Sequence, residues 1–152
     1  MIRPARKTDL DALLEIEGRC FEADRLSRAQ FRRALVSQAA VLLVAVQRGR
    51  VQGYALVRLR GRRAHFYSLA VDPSVRRSGI GRALLKAAEK AAHRRGSEDM
   101  QLELREHAWA ALALYRDQGY REAGRLLAYY ADRSDARRMH KSLPKPRSRR
   151  RV

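Results

Sequence analysis

Apolar positions along this chain change their period several times, and the changes divide it into elements. Leu10, Leu13, Leu14 and Ile16 recur at helical spacing behind Thr8 and Asp11, which read as a capping box. Ser27 and Gln30 read as a second box ahead of Phe31, Ala34 and Leu35, so a second helix is expected after a loop at 20–26. Residues 39–47 and 51–60 then predict two strands joined at Arg48-Gly49-Arg50. A third, over 64–72, is reached through Gly61-Arg62-Arg63 and ended by Pro73. Helical spacing returns over 79–95, with Ile80, Leu84, Ala87, Ala88 and Ala91 on one stripe, Lys86, Lys90 and Arg94 off it, and Gly96 as the C-terminal cap. Residues 100–105 alternate as a strand, and 108–118 predict a helix stopped by Gly119. Residues 120–130 and 137–143 predict a last pair of strands around a polar loop. The first six residues suit only an edge strand, because Pro4 cannot donate to a central ladder. This order predicts one mixed α/β domain with a largely antiparallel sheet.

Composition bounds that picture. The chain has 152 residues, 45% of them apolar, enough for one core and little more. The longest apolar run, 39–46, is strand length and cannot span a bilayer, and Met1-Ile2-Arg3-Pro4 lacks a secretory stretch. Cys20 is the only cysteine, which points to a reducing cytoplasm. His65, His93, His107 and His140 show no metal spacing, so no metal site is expected. The net charge is +18, and the last twelve residues hold six positive charges and no acid. We expect a folded domain over 1–143 and a basic, disordered tail over 144–152 that contacts a ribosome or RNA. The body stays basic without the tail. Only five of its cations and the tail's together are lysines, so the arginine excess reflects genome composition as readily as binding.

The most informative stretch runs from Ser68 to Leu85, where a strand enters a turn bearing Gly79 and Gly81 and the turn opens a helix. Such a turn aims backbone N–H groups and the positive end of the helix dipole at one point, and glycines let a pyrophosphate approach. Arg76, Arg77 and Arg82 add full charges. A plain tight turn would use the same glycines. A dinucleotide-binding turn needs a third glycine where Leu84 stands, and comes earlier in a chain than this one does.

Arg76-x-x-Gly79-x-Gly81 resembles the acetyl-CoA pyrophosphate signature of the GNAT superfamily of N-acetyltransferases. The preceding Ala70-Val71-Asp72-Pro73, and the later Leu102-Glu-Leu-Arg, Ala113-Leu-Tyr115 and Gly119-Tyr120, are similar to that family too, most of all to its protein N-terminal branch. The resemblance covers roughly residues 1–143. It implies a sheet of about seven strands with about four helices, splayed between strands four and five to admit acetyl-CoA as co-substrate, with no metal. Leu69, Ala70 and Val71 would serve the pantetheine and thioester, and Arg76, Arg77, Ser78, Gly79, Ile80, Gly81 and Arg82 the pyrophosphate. An asparagine that relatives often carry before the next helix is replaced here by Glu106-His107-Ala108-Trp109.

Acyl transfer to an amine needs a proton acceptor for the amine and a donor for the leaving thiolate. Leu102 and Leu104 alternate with Glu103 and Arg105, so Glu103 faces away from the core. Alternation alone favours a solvated Glu paired with Arg105 or another arginine, whereas the resemblance makes Glu103 the base. It also makes Tyr115 the thiolate's proton donor, although helical aromatics are more often core. Tyr129 and Tyr130 would line the acceptor entrance, with residues 21–26 as the opposite lip. Three functions follow: acetylation of a protein N-terminus such as that of a ribosomal protein, acetylation of a small amine (polyamine or aminoglycoside type), or a non-catalytic RNA- or ribosome-binding module.

Overall fold

A computed structural model describes residues 1–144; the stretch read as a basic tail therefore lies, from residue 145 on, outside the described residues. Seven strands, β1 (Ile2–Pro4), β2 (Ala40–Gln47), β3 (Arg50–Arg60), β4 (Arg63–Val71), β5 (Asp99–Arg105), β6 (Arg121–Leu126) and β7 (Ala136–Ser142), form one sheet in the order β1-β2-β3-β4-β5-β7-β6. All neighbours are antiparallel except β4 and β5. Four helices flank it: α1 (Leu10–Cys20), α2 (Arg28–Val36), α3 (Ile80–Arg94) and α4 (Trp109–Asp117). The fold class is the one expected, and Pro4 sits on an edge strand that pairs only with β2.

The sheet separates two apolar clusters. On one side Leu84, Leu85, Ala88 and Ala92 of α3 pack with Val57, Phe66, Leu102 and Leu104. On the other Leu13, Ile16 and Phe31 of α1 and α2 pack with Val44, Tyr54 and Leu56. α1 and α2 pack chiefly on β2, β3 and β4, so the polar face of β5 and β7 is covered less, its residues half-buried.

Three local expectations are corrected. Thr8 and Asp11 form no capping box: a 3-10 turn at Lys7–Asp9 precedes α1, and Asp9 accepts from the Arg6 N–H at 2.7 Å while pairing with Arg3 at 2.8 Å. Asp9 reaches that amide three residues back, so the chain turns earlier. The α3 stripe ends on Ala92, with Ala91 only half-buried. The strand expected over 120–130 stops at Leu126. Ala128 takes a left-handed φ of 49°, and the Asp135 carboxylate receives its N–H at 2.9 Å, which turns Tyr129 and Tyr130 off the sheet. The Ser27–Gln30 box forms in both directions. Gly96 and Gly119, each at φ 95°, end α3 and α4 in six-to-one closures, from Ser97 N–H to the Ala92 carbonyl and from Tyr120 N–H to that of Tyr115.

One buried acid ties the α1 side together. Glu17 is 2% exposed and accepts from the Leu26 N–H at 2.7 Å and the Tyr54 hydroxyl at 2.5 Å, which also meets Ser68 Oγ at 2.8 Å. Burial pushes its carboxyl up, against the pull of both donors. Glu17→Ala strands the Leu26 amide and half-strands Tyr54. It is expected to cost about 2–3 kcal/mol of stability, read from the urea midpoint.

Candidate active site

β4 and β5 pair only from Arg63–Asp99 to Phe66–Leu102. Beyond that pair β4 keeps its ladder to β3 as far as Val71 but has no partner on its other edge, so the two strands part. A bulge helps them do so: Leu56 pairs with Ser68 and Val57 with Phe66, leaving Tyr67 unpaired at the point of parting. Leu69, Ala70 and Val71 therefore line the edge that β5 leaves open. Val71's carbonyl is engaged by Cys20 Sγ at 3.3 Å and Arg76 Nε at 3.4 Å.

The turn after β4 is built by Asp72, whose carboxylate receives the Ser74 N–H at 3.0 Å and pairs with Arg19 at 2.9 Å; the Ser74 backbone bond, above all, holds its pKa below the ordinary value. Arg77 takes φ 65° and Gly79 φ 85°, both left-handed, so the chain doubles back and starts α3 on a glycine N-cap. No side chain caps this start, and the first N–H groups, those of Ile80, Gly81 and Arg82, face outward for an anion. Ile80's side chain is buried, so only its backbone is available. A Cβ on Gly81 would stand 3.6 Å from Val71 and 3.8 Å from Leu114, that is, between the open end of β4 and α4. A diphosphate-bearing co-substrate fits this cradle: uncapped donors, no Cβ in the way, and Arg76 and Arg77 beside it. Arg82 is drawn aside, paired with Asp117 of α4 at 2.7 Å.

Glu103 is the first β5 residue past the last paired one, so it stands at the apex of the splay on the less covered face. His65 Nε2 meets its Oε2 at 2.5 Å, and Oε1 takes Gln101 Nε2 at 3.2 Å and Arg138 Nε at 3.3 Å. Burial pushes its carboxyl up, but these three partners, His65 first, outweigh it and hold it below the ordinary value. A depression of about 560 Å³ opens beside it, lined also by Arg60, Arg63 and Tyr129. Reading the sequence missed His65, which was one of four scattered histidines; only the β4–β5 register brings it to Glu103.

Tyr115 lies on the opposite face of the sheet, its ring edge-on to Phe66 and Tyr120 at centroid distances of 6.4 and 5.6 Å. Burial raises its phenol well above the ordinary value, so it stays protonated throughout the neutral range. Tyr129 and Tyr130 sit edge-on to each other in the β6–β7 loop. Arg105 stacks over Tyr130 at 4.2 Å and bridges two loops, pairing with Asp132 at 2.9 Å and with Asp24 of the α1–α2 loop at 3.3 Å. The two stretches expected as opposite lips thus meet. Among the described residues no cluster of His, Cys, Asp or Glu could hold a metal, and no helix is long and apolar enough to cross a membrane.

Residues 7–143 match the family described as acetyltransferase (GNAT) domain. The chain is 34% identical over 148 residues to an N-alpha-acetyltransferase of Sulfurisphaera tokodaii, covering 89% of this chain and 88% of that one. It superposes with a TM-score of 0.86 and 30% identity on the crystal structure of the ribosomal-protein-S18-alanine N-acetyltransferase from Escherichia coli, over 100% and 98% of the two chains. A Salmonella typhimurium putative acetyltransferase, solved with its cofactor acetyl-CoA, shares the fold at a TM-score of 0.80 and 22% identity, over 100% and 98%.

Proposed function

The chain belongs to the GNAT acetyltransferase family, and on that premise we propose that it moves an acetyl group from acetyl-CoA to the N-terminal α-amine of a protein, such as a ribosomal protein, in the cytoplasm. The observation that carries this reading is the parting of β4 from β5, with the uncapped start of α3 beyond one strand and Glu103 at the apex. Acetyl-CoA lies along the open edge of Leu69, Ala70 and Val71, its pyrophosphate on the turn from Arg76 to Arg82. Glu103 supplies the negative charge that draws a proton from the acceptor ammonium. Tyr115 gives its phenolic proton to the departing thiolate. The acceptor enters between the α1–α2 loop and the β6–β7 loop, past Tyr129 and Tyr130. The basic residues after Leu143 add attraction for a ribosome or RNA.

Two considerations favour a peptide α-amine over a small polyamine. Arg60, Arg63 and Arg138 surround the one carboxylate of the depression, which repels a polycation. An α-amine, with a reference pKa near 8 against about 10.4 for lysine, also needs far less help to lose its proton. Acetylation of a panel of free N-terminal peptides, ribosomal sequences included, lysine peptides and polyamines tests this. Free N-terminal peptides are expected to lead lysine peptides in kcat/KM at pH 7 by roughly a hundredfold, in line with their larger share of free amine. A polyamine turned over faster than every peptide would refute the reading.

A further inference from the structure

Glu103 is poorly placed to collect a proton itself. Both of its oxygens already accept hydrogen bonds, from His65, Gln101 and Arg138. Its side chain is 6% exposed, against 23% for His65, and both line the same depression. An ionised carboxylate offers only lone pairs, so the proton in the His65–Glu103 bond belongs to Nε2. The lone pair is then on Nδ1. Nδ1 takes no hydrogen bond from the described residues and is not fully buried, in a side chain that is 23% exposed.

Resting on the acyl-transfer reading above, we infer that His65 Nδ1 takes the proton from the acceptor ammonium, with Glu103 as its positioning residue. The carboxylate fixes the tautomer and ring plane and stabilises the imidazolium once it forms, the division of labour that a carboxylate and a histidine adopt beside an activated hydroxyl. The acceptor ammonium passes one proton to Nδ1, and its nitrogen gains a lone pair. That nitrogen bonds to the thioester carbonyl carbon. The C–S bond then breaks, sulfur leaving with the electron pair and taking the phenolic proton of Tyr115. The nitrogen's second proton restores the phenol, and His65 releases its own to water.

The groups around the imidazole fit this. Glu103 and Gln101 face it from β5, Arg58 and Arg60 from β3, Arg63 and Tyr67 from its own strand, Arg138 from β7 and Tyr129 from the loop. Of the four guanidiniums, Arg63 is paired with Asp99 of β5 at 3.1 Å and Arg138 with Glu103 at 3.3 Å. Glu103 is the one carboxylate lining the depression, and it is bonded to the ring directly.

The test pairs His65→Gln with His65→Ala in the full chain, on the best acceptor found. His65→Gln keeps an amide for Glu103 but cannot take a proton. Its kcat is expected to fall about 10²- to 10⁴-fold, with the KM for acetyl-CoA unchanged and the acid limb moved up to the titration of the acceptor amine itself, since no base is left to take its proton. Added imidazole is expected to restore part of the His65→Ala rate, which a packing role would not allow. Combining His65→Gln with Glu103→Gln is expected to cost no more than the worse single change, since the two act as a unit. A His65→Gln enzyme with wild-type kcat and acid limb, beside a slow Glu103→Gln, would show that Glu103 acts alone and overturn the inference while the acyl-transfer reading stands. A slow His65→Ala that imidazole does not restore, with the loss in His65→Gln confined to KM, overturns it as well. If only a small amine is acetylated, the peptide acceptor is lost, and the His65 test runs unchanged on that amine.

Discussion

Tyr115→Phe is expected to lower kcat by about 10²- to 10⁴-fold while acetyl-CoA binds as tightly as before. The change removes one oxygen from a ring whose packing is edge-on contact with Phe66 and Tyr120, and phenylalanine keeps both contacts. No hydrogen bond within the described residues depends on that hydroxyl, so the fold loses nothing by it. Its burial keeps the phenol protonated at every working pH, so the loss is expected to be the same at pH 6 and pH 9. That flatness separates Tyr115 from the proton-accepting side, where loss of function alters the acid limb. Single-turnover acetylation by the preloaded enzyme isolates the step. A variant that acetylates at the wild-type rate would assign thiolate protonation to water or another group.

Gly81→Asp is expected to weaken acetyl-CoA binding by about 10²-fold or more, the cost of setting a carboxylate against a pyrophosphate in a partly enclosed site. A Cβ at this position stands at ordinary contact distance from Val71 and Leu114, and no left-handed φ is required there, so the backbone tolerates a side chain. An acid in the first turn of α3 suits the helix dipole, which protects the fold. Calorimetric titration together with the melting temperature checks both halves. Unchanged affinity in a folded variant would remove the turn from the co-substrate site. Gly79 would be a poorer probe, because at φ 85° any side chain there is strained whatever the ligand does.

Much of the domain was readable before any coordinates. Periods of two and 3.6 placed seven strands and four helices, because apolar spacing reports directly on which face each element buries. The Ser27–Gln30 box and the glycines at 96 and 119 were legible for a similar reason: the groups they satisfy lie within a few residues. Errors fell where a nearby competitor existed. Asp9 reaches the Arg6 amide before a Thr8 box forms, and Asp135 captures the Ala128 amide, ending the strand that the pattern carried on to Tyr130.

The chain's own order of residues determined the strand–turn–helix at 68–85, the outward placement of Glu103 and the mixed α/β class, all of which follow from local spacing. Tertiary structure decided the rest. Whether β4 and β5 part at Phe66 and Leu102, whether Arg82 is free or held by Asp117, and whether Arg105 joins the two loops depend on residues far apart in the chain. The same holds for His65. It lies 38 positions from Glu103, and their hydrogen bond exists only because a parallel pairing in one register sets the two strands side by side. A shift of one residue would turn either side chain to the other face, and no local pattern in the sequence records which register the folded sheet adopts.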